Sequence, residues 1–213
     1  MSKMVQVAEL SICNSEDELI FENLSFNVEG GEITQLRGLT EIQYDVLFRI
    51  LIGELDPDSG QIVVAGRNIV RLDEKKRKEM LRKEVSFVPH DFILPKEKTV
   101  REALFFKLGV TGDTFEVDER IEETLRYYQL GSAQGSIPER MTAGEKTRAV
   151  FALATINSPR LLICRNPFAG LGRGEEEEML ELLSNVVETS GMTVFLLSST
   201  LQSDLEQVKI IEV

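Results

Sequence analysis

Apolar and polar residues alternate in short bursts in the first part of the chain. VQVAEL (5–10) and LSFNV (24–28) place apolar side chains at nearly every second position, the period of a half-buried strand. NSED (14–17) between them reads as a turn, and EGGE (29–32) as another, before the strand ITQLRG (33–38). From Tyr44 to Ile52 the period changes, with Val46, Leu47, Ile50 and Leu51 at helical spacing. DPDSG (56–60) is a turn before the strand QIVVAG (61–66). A charged helix is predicted over about 73–83, then the strand VSFVP (85–89), then amphipathic helices over 99–108 and 118–129. Residues 131–140 form a Gly/Ser/Pro-containing loop, and a helix runs from about Gly144 to Asn157. LLIC (161–164) and TVFLLS (193–198) read as buried strands on either side of a helix at 175–189, and KIIEV closes the chain as a strand. This late strand–helix–strand alternation, with short apolar strands, implies a parallel sheet covered on both faces.

Composition narrows the picture. A chain of 213 residues suits one large or two small domains, and 42% hydrophobic with 7% aromatic residues is ordinary for an α/β protein. No run of 18 apolar residues exists to span a bilayer, and MSKMVQVAEL lacks the apolar core of a signal peptide. Two cysteines are too few for a disulfide framework, and Cys164, within LLIC, reads as a buried thiol in a reducing cytosol. A net charge of −12 argues against general nucleic-acid binding and against broad attachment to anionic lipid. The basic stretch KKRKEMLRK (75–83) reads as a solvated helix face. So does the acidic run Glu175–Glu178, which opens a helix where carboxylates suit the positive end of the dipole.

The order of these elements and their punctuation resembles the ATP-binding cassette (ABC) ATPase family over nearly the whole chain. The resemblance is carried by FENLSFNVEGGEITQLRG and LFRILIGELDPDSGQIVVAGRNI in the first part, and by ERMTAGEKTRAVFALATINSPRLLICRNPFAGL later. LRKEVSFVPHDFILPKEKTVREAL is most similar to the FtsE/LolD-like branch, which serves small permeases. The resemblance implies an α/β P-loop NTPase fold, with a mainly parallel core, an N-terminal antiparallel β-subdomain and a helical subdomain. It implies a single domain over 1–213. Residues 1–84 hold the β-subdomain and phosphate-loop region, 85–158 the Q-loop and helical subdomain, and 159–213 the Walker B strand and C-terminal sheet.

The chemistry departs from that family. A phosphate loop, G-x-x-x-x-G-K-[ST], curls backbone N–H groups around phosphates, neutralises them with its lysine and holds Mg²⁺ with its hydroxyl. The matching stretch is Gly38-Leu39-Thr40-Glu41-Ile42-Gln43-Tyr44-Asp45. Gln43 stands for the second glycine, Tyr44 for the lysine and Asp45 for the hydroxyl residue, and Glu41 adds a second acid. Each carboxylate facing a phosphate at about 4 Å would cost about 4 kcal/mol at an effective dielectric of about 20. Where the family's Walker B strand ends in Asp-Glu, this one ends in Arg165-Asn166: Arg165 cannot bind a metal, and Asn166 cannot accept a proton. His90 replaces the Q-loop glutamine, Gly172 the D-loop aspartate and Ser199 the switch histidine. ICNS (12–15) has no aromatic residue to stack on adenine. His90, the only histidine, also reads simply as a solvated loop residue.

One motif survives. Met141-Thr142-Ala143-Gly144-Glu145 resembles the family's signature segment, which opens a helix toward the γ-phosphate held by an opposite subunit. The same residues also make a capping box, Thr142 with Glu145, and both readings can hold. The substitutions are reciprocal in charge: an acid takes the metal-side hydroxyl's position and a base takes the metal-side acid's. Arg165 is therefore expected to pair with Asp45 or Glu41 in the vacant cation position, with Tyr44 covering part of the phosphate space.

The resemblance then implies a degenerate cassette subunit and pseudo-ATPase with no catalytic residue, no metal ligand and no cofactor, Mg-ATP entering only by family likeness. Its implied partners are an integral-membrane permease and an intact ABC subunit in a heterodimer, with this chain cytoplasmic and peripheral to the inner (plasma) membrane. Phe92, Ile93, Leu94, Phe105 and Phe106 are the apolar docking candidates, with Phe105 and Phe106 favoured as core. The alternatives are an active ATPase with a rearranged site and a soluble regulatory scaffold without a permease.

Overall fold

Alternation builds the first sheet. The computed structural model, which describes residues 3–112, 115–199, 201 and 206–213, has two long antiparallel strands, β1 (Lys3–Cys13) and β2 (Leu19–Glu29). On the other edge of β1 lies β4 (Ser59–Val64), with Ile62 opposite Val7, and β5 (Arg67–Asn68) completes the order β2-β1-β4-β5. β2 begins five residues before the predicted 24–28, because Leu19 and Phe21 still pair with Cys13 and Ile12. Register shifts around Leu10 and Ile12 hide this pairing from the sequence pattern, since each slip moves the side-chain period by one. The predicted turn at 14–17 forms around Asn14, whose Oδ1 accepts from the Glu16 and Glu18 N–H groups at 2.9 Å each. The turn predicted at 56–60 is cut short by β4. Gly60 has φ +108°, and a Cβ there would lie 2.7 Å from Glu9 O, so only glycine lets β4 approach β1 this closely.

The second sheet is parallel throughout. β3 (Ile33–Arg37), β6 (Val85–Val88), β7 (Leu161–Arg165), β8 (Thr193–Leu197) and β9 (Val208–Glu212) take the order β6-β7-β8-β3-β9. β7 and β8 are buried along their whole length, as their unbroken apolar runs predict. Their side chains alternate between two cores. Leu162, Cys164, Val194 and Leu196 join one core, which also holds the apolar residues of the later helices. Leu161, Ile163, Phe195 and Leu197 join the other, beneath the antiparallel sheet.

Six α-helices cover the sheets among the described residues: α1 (Glu41–Leu51), α2 (Glu74–Lys83), α3 (Val100–Thr111), α4 (Val117–Tyr127), α5 (Ala143–Thr155) and α6 (Arg173–Ser190). Thr40, Thr99 and Thr142 close capping boxes with Gln43, Glu102 and Glu145, and Asp73 caps α2. α1 thereby starts at Glu41, three residues ahead of the apolar pattern. Short 3₁₀ turns at Ile69–Arg71 and Pro138–Arg140 carry no apolar period and were not predicted.

Three expectations are corrected. Phe105 and Phe106 are not core: they are 61% and 59% exposed, because α3 buries Val100, Ala103, Leu104 and Leu108 instead. Leu94, offered as a docking residue, packs into the core. Glu176 in the acidic run is buried, since α6 turns its 176, 179, 180 and 183 stripe inward. No helix among the described residues is long and apolar enough to cross a membrane.

Candidate functional site

β3 delivers the chain to Gly38, which has φ +97°, and a Cβ there would meet Val213 O at 2.1 Å. Two residues later Thr40 starts α1 and uses up nearby amides. Thr40 Oγ1 accepts the Gln43 N–H at 3.3 Å, Gln43 Oε1 accepts the Thr40 N–H at 2.9 Å, and the Tyr44 N–H donates to Thr40 O at 2.9 Å. The Gln43 amide also donates to Ile20 O at 2.9 Å. Three backbone N–H groups of the segment that matches a phosphate loop, those of Thr40, Gln43 and Tyr44, are thus engaged within this chain.

At the carboxyl end of β7, Arg165 is buried with 2% exposure. Its Nε donates to Asp45 Oδ1 at 2.7 Å, and its Nη2 forms a close ion pair with Glu41 Oε2. Nη2 also donates to Glu41 O at 3.3 Å, and Nη1 to Leu197 O at 3.5 Å. Glu41 and Asp45 sit at i and i+4 on α1, so one helix face presents both carboxylates to one guanidinium. The expected pairing of Arg165 with Asp45 or Glu41 is present with both. Ser199 Oγ donates to the other Glu41 oxygen at 2.9 Å.

The Arg165 guanidinium lies 5.2 Å from the centroid of the Tyr44 ring. Tyr44 itself is fully buried and donates its hydroxyl to Leu36 O at 2.9 Å. Its position in the motif led to the expectation that it covers part of the phosphate space; instead the ring is buried inside the fold. It belongs to the inward stripe of α1 with Leu47, Phe48 and Leu51, and the helix phase carries it into the core.

Electrostatics follow this geometry. The Arg165 hydrogen bond holds the Glu41 carboxyl below its ordinary range, helped by Ser199 and, more weakly, by the charges of Arg165 and His90. Burial works against the charge on Arg165, but its hydrogen bonds to Glu41 and Asp45 outweigh this and raise it. Burial pushes the Tyr44 hydroxyl up. The three charged side chains sum to −1.

The other predicted residues surround this cluster unevenly. Asn166 adopts a left-handed φ of +45°, which asparagine tolerates; its N–H donates to Leu197 O at 2.9 Å and its Oδ1 accepts from Ser198 Oγ at 3.2 Å. His90 is an exposed loop residue whose nearest carboxylate, Asp91, is 3.9 Å away. Gly172 N-caps α6, and its N–H donates to Glu175 Oε2 at 3.3 Å. Thr142, Ala143, Gly144 and Glu145 form the start of α5, with Glu175 Oε1 3.0 Å from where a Cβ on Gly144 would sit. Among the described residues no hydrogen bond or ion pair joins this segment to the Arg165 cluster. Sequence reasoning missed the fully buried Gln35, which donates to Ser198 O and accepts from Arg37 Nε, each at 2.8 Å. Its signal was a lone amide inside an apolar strand.

Chemically the cluster is a closed charge network. A guanidinium has no lone pair for a cation, and an asparagine amide is no base at neutral pH. The residues present do not fit Mg-ATP in the phosphate-loop pose.

A family model described as "ABC transporter" matches residues 21–169. The chain is 27% identical over 199 residues to a methionine import ATP-binding protein, MetN, of Geobacillus kaustophilus, an alignment covering 93% of this chain and 58% of that protein. It is 31% identical over 173 residues to a spermidine/putrescine import ATP-binding protein, PotA, of Nitrosospira multiformis, covering 81% of this chain and 46% of that protein. The chain thus spans about half the length of these relatives. Among solved structures, cbiO1 from Clostridium perfringens, part of an ABC transporter complex, superposes with a TM-score of 0.82 at 21% identity, covering 94% of this chain and 80% of that one. The dimeric ATP-binding cassette MJ0796 bound to ADP and Pi gives 0.78 at 20% identity, covering 92% and 88%.

Proposed function

Because the chain belongs to the ABC transporter family and has the P-loop NTPase fold of its ATPases, we propose that it is a cassette subunit whose own nucleotide position is closed and does not hydrolyse ATP. The observation that carries this reading is Arg165, held between Glu41 and Asp45 at the end of β7. It fills the position where the family resemblance puts a metal with a basic side chain, and it leaves two carboxylates where phosphates would lie. Gly38, Gln43, Tyr44, Asn166, His90, Gly172 and Ser199 are, in this reading, the remainder of that lost site.

The subunit acts by docking. α3 is apolar on both faces: it buries four residues and still exposes Phe105, Phe106 and Val110. An outward apolar face of this kind supports a membrane-permease partner over a free-standing scaffold. The phrasing of residues 81–104 favours a small permease of the FtsE/LolD-like kind, with this chain peripheral to the cytoplasmic side of the membrane. Thr142 and Gly144, at the start of α5, remain for an intact ABC subunit to use in a heterodimer.

Calorimetry with millimolar ATP and Mg²⁺ tests the closed site. The expected result is no saturable heat. Binding at micromolar affinity would overturn the proposal.

A further inference from the structure

A sizeable cleft lies away from the Arg165 cluster. It has a volume of about 670 Å³ and opens at the opposite pole, where the turn before β3, the segment before β7 and the segment before β8 come together with the end of α4. Arg160 lies here, five residues before Arg165 on the same strand line, which sets the two sites about 16 Å apart at ~3.3 Å per residue. The volume suits a small organic molecule.

The chemistry of the cleft is amphipathic and locally positive. Arg120 and Arg160 line it against a single carboxylate, Glu123, in a chain of net charge −12. Arg160 is only loosely compensated: its contact with Glu84 is 3.5 Å, while the other oxygen of Glu84 is held closely by Arg67. Arg120 is braced by donating to Ile156 O at 2.6 Å, at the carboxyl end of α5, which fixes its guanidinium in the cleft wall. Tyr127 and Val186 supply apolar surface beside these charges, over the buried Ile156 and Met192.

We propose that this cleft is a second ligand site. It takes a small organic anion whose carboxylate or phosphate head pairs with Arg160 and Arg120 and whose apolar body lies against Tyr127 and Val186. A planar guanidinium fork matches either head group by two-point contact. The site is independent of whether the Arg165 cluster admits nucleotide.

Calorimetry on the whole chain with benzoate, phenyl phosphate and the neutral analogue benzyl alcohol tests the proposal. At least one anion is expected to bind saturably and the alcohol is not; which anion binds names the head group. Arg160→Gln should weaken that binding about tenfold, the loss of a charge-assisted hydrogen bond. Glu123→Gln should tighten it, by about twofold, through removal of a like charge. Arg160 and Glu123 are both exposed, so the variants should keep the wild-type melting temperature. The proposal is overturned if neither anion binds, if the alcohol binds equally well, or if Arg160→Gln leaves the affinity unchanged.

Discussion

Arg165 shows how one side chain at the end of a buried strand can hold two carboxylates of a neighbouring helix. Its stem is buried, its fork meets two carboxylates, and its face covers Tyr44. Removing one partner of a fully buried ion pair costs about 3–5 kcal/mol, but here Glu41 and Asp45 remain 59% and 60% exposed and rehydrate when the cation goes. Arg165→Ala should therefore cost about 2–3 kcal/mol in urea unfolding, mostly lost packing and hydrogen bonds. The Glu41 carboxyl adds a pH signature. Its folded pKa lies below the ordinary value of 4.5, so its stabilisation is complete above that value and is lost as pH falls through the lower, folded one. Wild type should lose more stability between pH 6 and pH 3 than Glu41→Gln, whose acid limb is flatter. Parallel limbs in the two proteins would show that the pair contributes nothing.

At the scale of elements, most of the architecture was legible, and the errors have a common origin. Buried strands such as LLIC and TVFLLS declare themselves by unbroken apolar runs, and α5 by Thr142 and Glu145 at capping-box spacing. The pairing of Arg165 was legible from reciprocal charge, because the family resemblance sets a base and two acids of this sequence across one site from each other. Which way a side chain points was less so. Tyr44 was placed by its position in a motif, but the phase of α1, set by the cap at Thr40, placed it in the core. Phe105 and Phe106 look like core in a one-dimensional pattern, and only the packing of α3 shows that its inner face is already full. These two phenylalanines thus make a clean test of docking. Phe106→Ser should leave stability within about 0.5 kcal/mol of wild type, as surface substitutions do, while reducing recovery of the chain with its native membranes. Loss of several kcal/mol instead would place Phe106 in the core after all.

At the scale of the whole molecule, the parallel sheet joins two cores that would otherwise be separate. Leu162 and Ile163 are neighbours on β7, yet one packs under the later helices and the other under the antiparallel sheet. A strand that alternates in this way cannot leave one core without stripping the other, so the two lobes should lose their structure together. Chains longer than about 150 residues commonly unfold through intermediates, which makes cooperativity here a real expectation and not a default. Both side chains are fully buried, and truncating either to alanine should cost about 2–5 kcal/mol. If β7 couples the lobes, Leu162→Ala and Ile163→Ala should each shift one shared urea transition, coincident by far-ultraviolet dichroism and by tyrosine fluorescence. A variant that unfolds in two steps, with only the lobe facing the truncated side chain destabilised, would show that the cores fold apart. In that case the Arg165 cluster, which rests on β7 and on α1, would have to be held by its ion pairs alone.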